Sequence, residues 1–467
     1  MPVQGNIVSI LALLAWAPLA IWIARRWPPA KAAALLFLIP VLILPQGVGF
    51  KLPGIVEFDK GRIATLWLLI GVILFHRQRL SGVQLGKSVT SAIVLLLGGS
   101  VITVFLNRDT IVQGAIFLPP HTPYDAVHTL VYKTLDYVLP LVLAAAMFRG
   151  RADLRAFFRV LVGAALAYSV LQIVELIMSP QLHRMVYGFH QHMFAQSMRG
   201  GGYRPVVFMA HGLAVAVFTF SALLASAGSF KAKVRGFRFD FKWVTAYLWF
   251  ILLVSKSQAA FLYSLLAVPL ILFVRPKLQF RVAIALGALV LLYPAARGAD
   301  LIPVEQIRAW VAEEYGEEKV GSVMMRFENE KLLLERANER PVFGWGGFCR
   351  SCILDAFSGR PTSVSDGDWV ITLGTSGYVG FFGKYLLLLL PILFAARRLK
   401  WVRRASDRRL LAALALIVGF SAFDLLPNGN FNYLAFVFAG VLIGCSDGIL
   451  REQVALARLA EEARQPA

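Results

Sequence analysis

Apolar runs of the length that crosses a bilayer recur along this chain, broken by short charged or polar stretches. They are Ile7–Ala24, Ala32–Gly49, Ile63–Phe75, Ser88–Leu106, Leu130–Phe148, Phe157–Met178, Val206–Ala227, the short pair Trp243–Val254 and Ala259–Val274, Val282–Ala296, Val370–Ala396, Leu410–Leu426 and Tyr433–Cys445. A hydrocarbon core takes about 20 residues of helix, so the pattern predicts an all-α polytopic membrane bundle of about 12–13 transmembrane helices. Transmembrane barrels would alternate polarity over segments of about 10 residues, and no such segments occur. An apolar content of 58% and a mean hydropathy of +0.66 exclude an ordinary soluble globule. No cation cluster precedes the first run and no small-residue cleavage site follows it, so it is read as a span rather than a signal peptide.

Charge placement orients the bundle. Lys/Arg clusters follow alternate runs: Arg25 and Arg26, Arg77 and Arg79, Arg149 to Arg159, Lys231 to Lys242, Arg275 to Arg281, and Arg397 to Arg409. By the positive-inside rule these lie on the cytoplasmic side. The net charge of +20 is then explained by topology and anionic lipid. Nucleic acid is not expected as a partner, because no cluster carries stacking aromatics on a soluble domain. Four segments follow: 1–298 with the first ten helices, a polar insert over 299–369, 370–447 with the last three helices, and a charged cytoplasmic tail over 448–467.

The insert concentrates the acidity. It holds 13 of the chain's 27 acidic residues and falls opposite the cation clusters. Phe327–Asn338 reads as an amphipathic helix ended by Pro341, and the insert's glutamates between Glu305 and Glu339 as a solvated helical face. Arg340-Pro-Val-Phe-Gly-Trp-Gly-Gly347 is a glycine-and-aromatic turn, with Trp345 a candidate sugar-stacking platform. Asp366 and Asp368 stand just before the eleventh run. A carboxylate there could take a proton from a sugar hydroxyl; aspartate is also a good helix cap, so one of the two is expected to cap and the other to be free.

Other loops on the insert's side carry cations. Arg199-Gly-Gly-Gly-Tyr-Arg204 leads into the seventh run, with Tyr203 between the arginines and His211 expected about two turns into the helix. Guanidinium groups bind diphosphate as forks. Lys256, in the Ser255-Lys-Ser-Gln258 hairpin, calls for an anionic partner or snorkels to the interface. Glu175, Lys384 and Asp424 are further intramembrane charges; Lys384 and Asp424 could form structural pairs. His183, His190 and His192 fit no zinc spacing, so no metal is expected. Cys349-Arg-Ser-Cys352 reads as a local disulfide or two free thiols. Neither a Walker A sequence nor a Rossmann fingerprint is present, so no cofactor is expected.

Over roughly Met178–Ala396 the chain resembles the O-antigen ligase and polymerase superfamily. The resemblance is carried by Arg199-Gly-Gly-Gly-Tyr-Arg-Pro…His211-Gly, by Ser255-Lys-Ser-Gln-Ala-Ala, by Arg326 with Pro341-Val-Phe-Gly-Trp-Gly, and by Asp366–Gly380 ending Leu-Gly-Thr-Ser-Gly-Tyr-Val-Gly. It implies a metal-independent glycosyltransferase of the bacterial inner membrane, with the insert periplasmic and the tail cytoplasmic. Such an enzyme polymerises or ligates O-antigen or exopolysaccharide repeat units. The implied partners are an undecaprenyl-diphosphate-linked glycan donor, a glycan acceptor, membrane lipid and other polysaccharide-assembly proteins. Arg204, Arg326, Arg199 and Lys256 would bind the diphosphate, Asp366, Asp368 or His211 would serve the acceptor hydroxyl, and Trp345 and Tyr203 would contact sugar. The family's common histidine is replaced here by Asp366 or Asp368. A transporter or flippase of lipid-linked sugar is the competing class. It should show two related halves, and no internal repeat is visible.

Overall fold

The computed structural model describes residues 5–51, 56–113, 116–199, 201–355, 357–363, 366–429 and 433–462. Part of the Arg199–Tyr203 glycine run (200), of the approach to Asp366 (364–365), of the turn before the last helix (430–432) and of the tail (463–467) lies outside them. The chain is an all-α polytopic bundle. In order it forms α1 (Ile7–Arg26), α2 (Pro29–Ile43), α3 (Lys60–Phe75), α4 (Lys87–Leu106), α5 (Pro123–Lys133), α6 (Leu139–Met147), α7 (Arg151–Met178), α8 (Leu182–Tyr187), α9 (Gly212–Lys231), α10 (Phe241–Val254), α11 (Gln258–Phe273), α12 (Pro276–Gly298), α13 (Val304–Tyr315), α14 (Glu317–Asn338), α15 (Asp368–Arg398), α16 (Ala405–Asp424) and α17 (Leu434–Glu462). Two small antiparallel hairpins, β1 (Ile111–Gln113) with β2 (Ile116–Leu118) and β3 (Met198–Arg199) with β4 (Gly202–Tyr203), decorate the loops.

Every apolar run appears as helix. Among the described residues eight helical stretches are long and apolar enough to cross a membrane, and α2, α10 and α11 are shorter apolar helices. The fifth run is α5 and α6 joined through a π-helical turn, Thr134–Val138. The last span runs on into the charged tail as one helix, because α17 continues from Leu434 to Glu462. A stripe of glycines holds α17 against α6. A Cβ at Gly440 or at Gly444 would stand 2.2 Å from the carbonyl oxygen of Leu141 or of Phe148 respectively. Small residues at this spacing let helix backbones touch, the main source of attraction between helices in lipid.

α15 is two helices. Gly377 has φ 61° and ψ −172°, a region open essentially only to glycine. Lys384 Nζ lies 2.8 Å from both oxygens of Asp368, sixteen residues away in sequence. In a straight helix that separation spans about 24 Å, so the contact exists because the chain folds back at Gly377. The break frees backbone groups, and the 341–346 turn takes them up. Tyr378 N–H donates to Pro341 O (2.7 Å) and Val379 N–H to Val342 O (3.1 Å), while Trp345 N–H and Gly346 N–H donate to Gly374 O (2.8 Å) and Thr375 O (2.9 Å). α4 closes the other side, with Thr103 Oγ1 donating to Phe343 O (2.6 Å) and Asn107 Nδ2 to Gly344 O (3.0 Å). The glycine-and-aromatic turn is therefore a splint for a broken helix.

The insert is anchored at its far end too. Cys349 and Cys352 are disulfide-bonded. The bridge closes a turn around the fully buried Arg350, whose guanidinium donates to Asp109 O (2.9 Å), Pro119 O (2.8 Å) and Asp109 Oδ1 (3.0 Å). Not every insert glutamate is solvated. Glu330 is half-buried and accepts from Tyr293 Oη (3.1 Å) and Trp369 Nε1 (3.4 Å), tying α14 to α12 and α15.

Candidate functional site: a guanidinium cluster

The approach to α9 is built on a buried carboxylate. Glu175, near the end of α7, accepts from Leu182 N (3.0 Å), Val206 N (2.8 Å) and Val207 N (2.7 Å). This satisfies the acid and pins both ends of the loop between α7 and α9. The β3–β4 hairpin sits within that loop. Arg199 is exposed on β3, and Tyr203 is half-buried on β4 with its ring 6.4 Å from that of Phe194. Arg204 follows and turns inward.

Arg204 is 7% exposed. Its Nη2 donates to Lys256 O at 3.1 Å, and its buried Nε has no hydrogen-bond partner among the described residues. Burial, then the charges of Arg199 and Arg326, push its guanidinium down to about 10. The charge of an arginine more than a hundred residues away in the chain thus acts on Arg204. Lys256 joins them from the α10–α11 turn, where it holds φ 53°, and its Nζ donates to Arg199 O at 3.1 Å. From α14, Arg326 Nε is 3.2 Å from Asp366 Oδ2, with the two side chains 51% and 42% exposed. The cluster carries more cations than carboxylates.

His211 sits differently from expectation. It is the N-cap of α9 rather than a residue two turns inside, because the residues from 207 to 210 form a turn and bend and the helix starts only at Gly212. Its Nδ1 accepts from Leu213 N at 3.0 Å, which places the ring proton on Nε2 in the neutral imidazole. In that form it offers the site a donor, not a base. His192 packs edge-on against it at 4.4 Å. Burial, then His192 and the arginines, push His211 down to about 4, below the unfolded value of about 6.5. The unfolded chain then binds more protons between those values, so stability should fall as pH drops from 6.5 through 4, by up to roughly 3 kcal/mol. Melting of the purified protein at pH 7 and pH 4.5 checks this. His211→Asn keeps a capping side chain and should lose less on acidification than the wild type; an equal loss would remove His211 from the account.

Two expected site residues lie elsewhere. Asp368 is buried in an ion pair with Lys384 and also accepts from Tyr385 Oη at 2.7 Å. Neither aspartate caps α15: Gly367 occupies the N-cap, with no side-chain cap bond. Asp366 is left as the accessible carboxylate. Trp345 is no open platform. It is 6% exposed, its Nε1 donates to Arg336 O at 2.7 Å, and the guanidinium carbons of Arg336 and Arg340 lie 3.6 and 4.2 Å from its ring centroid. Asp424 accepts from Asn428 Nδ2 at 2.9 Å instead of meeting a cation.

Residues outside the expected set form a second polar system. Arg62 holds Asp136 through two 3.0 Å bonds. Lys133 Nζ donates to Ser100 Oγ (2.7 Å) and Ser376 Oγ (2.9 Å), beside the break in α15. Lys133 and Asp136 fall inside the fifth apolar run, and a charge there is the signal that could have found them. No protein-family model matches the chain, and no curated protein matches it.

Proposed function

We propose that this protein transfers a glycan from undecaprenyl diphosphate to a sugar hydroxyl, on the periplasmic face of a bacterial inner membrane, polymerising or ligating O-antigen or exopolysaccharide units. The observation that carries the reading is the buried guanidinium of Arg204 lying within the charge fields of Arg199 and Arg326, with Asp366 beside Arg326. A diphosphate supplies the charge and the acceptor oxygens that this cluster lacks. The acceptor oxygen attacks the anomeric carbon, and the bond from that carbon to the diphosphate oxygen breaks with its electron pair leaving on phosphate. Arg204 and Arg326 stabilise that charge. Asp366, two residues before the helix, takes the hydroxyl proton. His211 and Asp368 are relieved of the base role by their hydrogen bonds, and Trp345 is relieved of sugar stacking by the cations that cover it.

Polymerisation is favoured over ligation, because an aspartate stands where ligases of the resembling superfamily commonly have histidine. The glycan ladder of a deletion strain decides between them. Single repeat units are expected; long chains stranded on the lipid carrier would show ligation instead, and an unchanged ladder would end both readings. A flippase is the second reading, and the broken α15 beside buried Lys133 and Lys384 favours it. Movement of labelled lipid-linked sugar across vesicles carrying the purified protein would support it.

A further inference from the structure

Beside the guanidinium cluster, a cleft of about 130 Å³ opens between the starts of α3, α9 and α17. Gln46, Gly47, Asp59, Asp136, Met209 and Tyr433 line it. His211 follows directly on the cleft-lining Met209 and Ala210, and Gly212 lies against the aliphatic stem of Arg204. One short segment thus divides the cleft from the cations.

The two sides differ in charge chemistry. Lys60 lines the cleft, but its Nζ is spent on the carbonyls of Val41 (3.1 Å), Leu44 (3.4 Å) and Phe208 (2.6 Å). Arg62 is spent on Asp136 and on Glu57 O (2.6 Å). An anion entering would find no spare cation. Acceptors remain available. Asp59 is 46% exposed; its Oδ1 takes the N–H groups of Gly61 and Arg62, while Oδ2 lies 3.9 Å from Arg62. The half-buried Gln46 side chain adds an amide, and Met209 and Tyr433 add apolar surface. Carboxylate and amide groups around an apolar patch suit a ring with hydroxyls at its edge and C–H bonds on its face.

We infer that this cleft binds a neutral sugar ring, the acceptor end of a glycan, with Asp59 and Asp136 accepting from its hydroxyls. The inference rests on the proposed transfer reaction for the word acceptor, but sugar binding itself can be tested without turnover. A photo-reactive benzoylphenylalanine is placed at Gln46 in one version of the full-length protein and at Tyr203 in another. Both are irradiated in the native host, and the adducts are analysed for sugar and for prenyl phosphate by mass spectrometry.

Sugar on the Gln46 probe and a prenyl-diphosphate glycan on the Tyr203 probe are expected. Only lipid, protein or no adduct at Gln46, with glycan at Tyr203, overturns the cleft and leaves the transferase reading standing. Sugar at Gln46 with none at Tyr203 keeps the cleft and overturns the diphosphate site. No sugar at either position ends both. Asp59→Asn preserves the helix cap and should lower the Gln46 sugar adduct at least fivefold while leaving the Tyr203 adduct unchanged. An undiminished Gln46 adduct would overturn the role given to the carboxylate.

Discussion

Arg204→Ala is expected to lower glycan transfer on the order of 100–1000-fold, the range for removing one preorganised donor from a developing oxyanion. The size follows from placement. Arg204 is buried, so its charge acts with little water to screen it. Arg204→Lys keeps the charge but loses the fork, and should recover at most about a tenth of the activity. Arg199, exposed on its hairpin, should matter less, at about tenfold. Initial rates with purified protein and synthetic undecaprenyl-diphosphate glycan check all three. The variant must also melt within a few degrees of the wild type, since it loses the bond to Lys256 O. A folded Arg204→Ala protein working within threefold of wild type would remove the diphosphate from this site.

Much of the fold was legible because lipid imposes a simple rule: a span needs about 20 apolar residues and every backbone group must be satisfied within it. Arg199 and Arg204, in the loop before α9, stand out in the sequence for a related reason, as guanidinium groups in a glycine-rich loop have few structural uses. What could not be read depends on chain reversal. Asp366 and Asp368 stand two residues apart and look equivalent in sequence, yet one is paired with Arg326 and the other with Lys384. The difference is made by a fold-back at Gly377. Trp345 likewise reads as an open ring until α14 and the turn after it bring Arg336 and Arg340 over it. The glycine stripe of α17 was present in the sequence, and its four-residue spacing was the available signal.

That fold-back is where the largest effect on stability is expected. A Cβ at Gly377 would stand 2.3 Å from Val342 O and 2.5 Å from Phe343 N, and one at Gly344 would stand 2.6 Å from the amide nitrogens of Ser376 and Gly377. These neighbours are backbone held by hydrogen bonds from both sides, so no side chain can swing away to make room. Gly377 also carries a positive φ at an extended ψ, a further penalty of order 1–3 kcal/mol for any other residue. Gly377→Ala should therefore cost more than about 4 kcal/mol, in the tail of single-substitution effects. It should act on the proposed site as well, because the short helix beginning at Asp368 is what sets Asp366 against Arg326. Two measurements separate this from general fragility. Gly98→Ala lies within α4 with nothing within 4 Å of the added Cβ, and should leave the melting temperature unchanged or slightly raised. Limited proteolysis should cut Gly377→Ala within 339–363 before the bundle melts, because the splinting turn has lost its partner. A Gly377→Ala protein as stable and as resistant to cleavage as Gly98→Ala would show that α15 does not need the break, and the arrangement of Asp366 with Arg326 would require another cause.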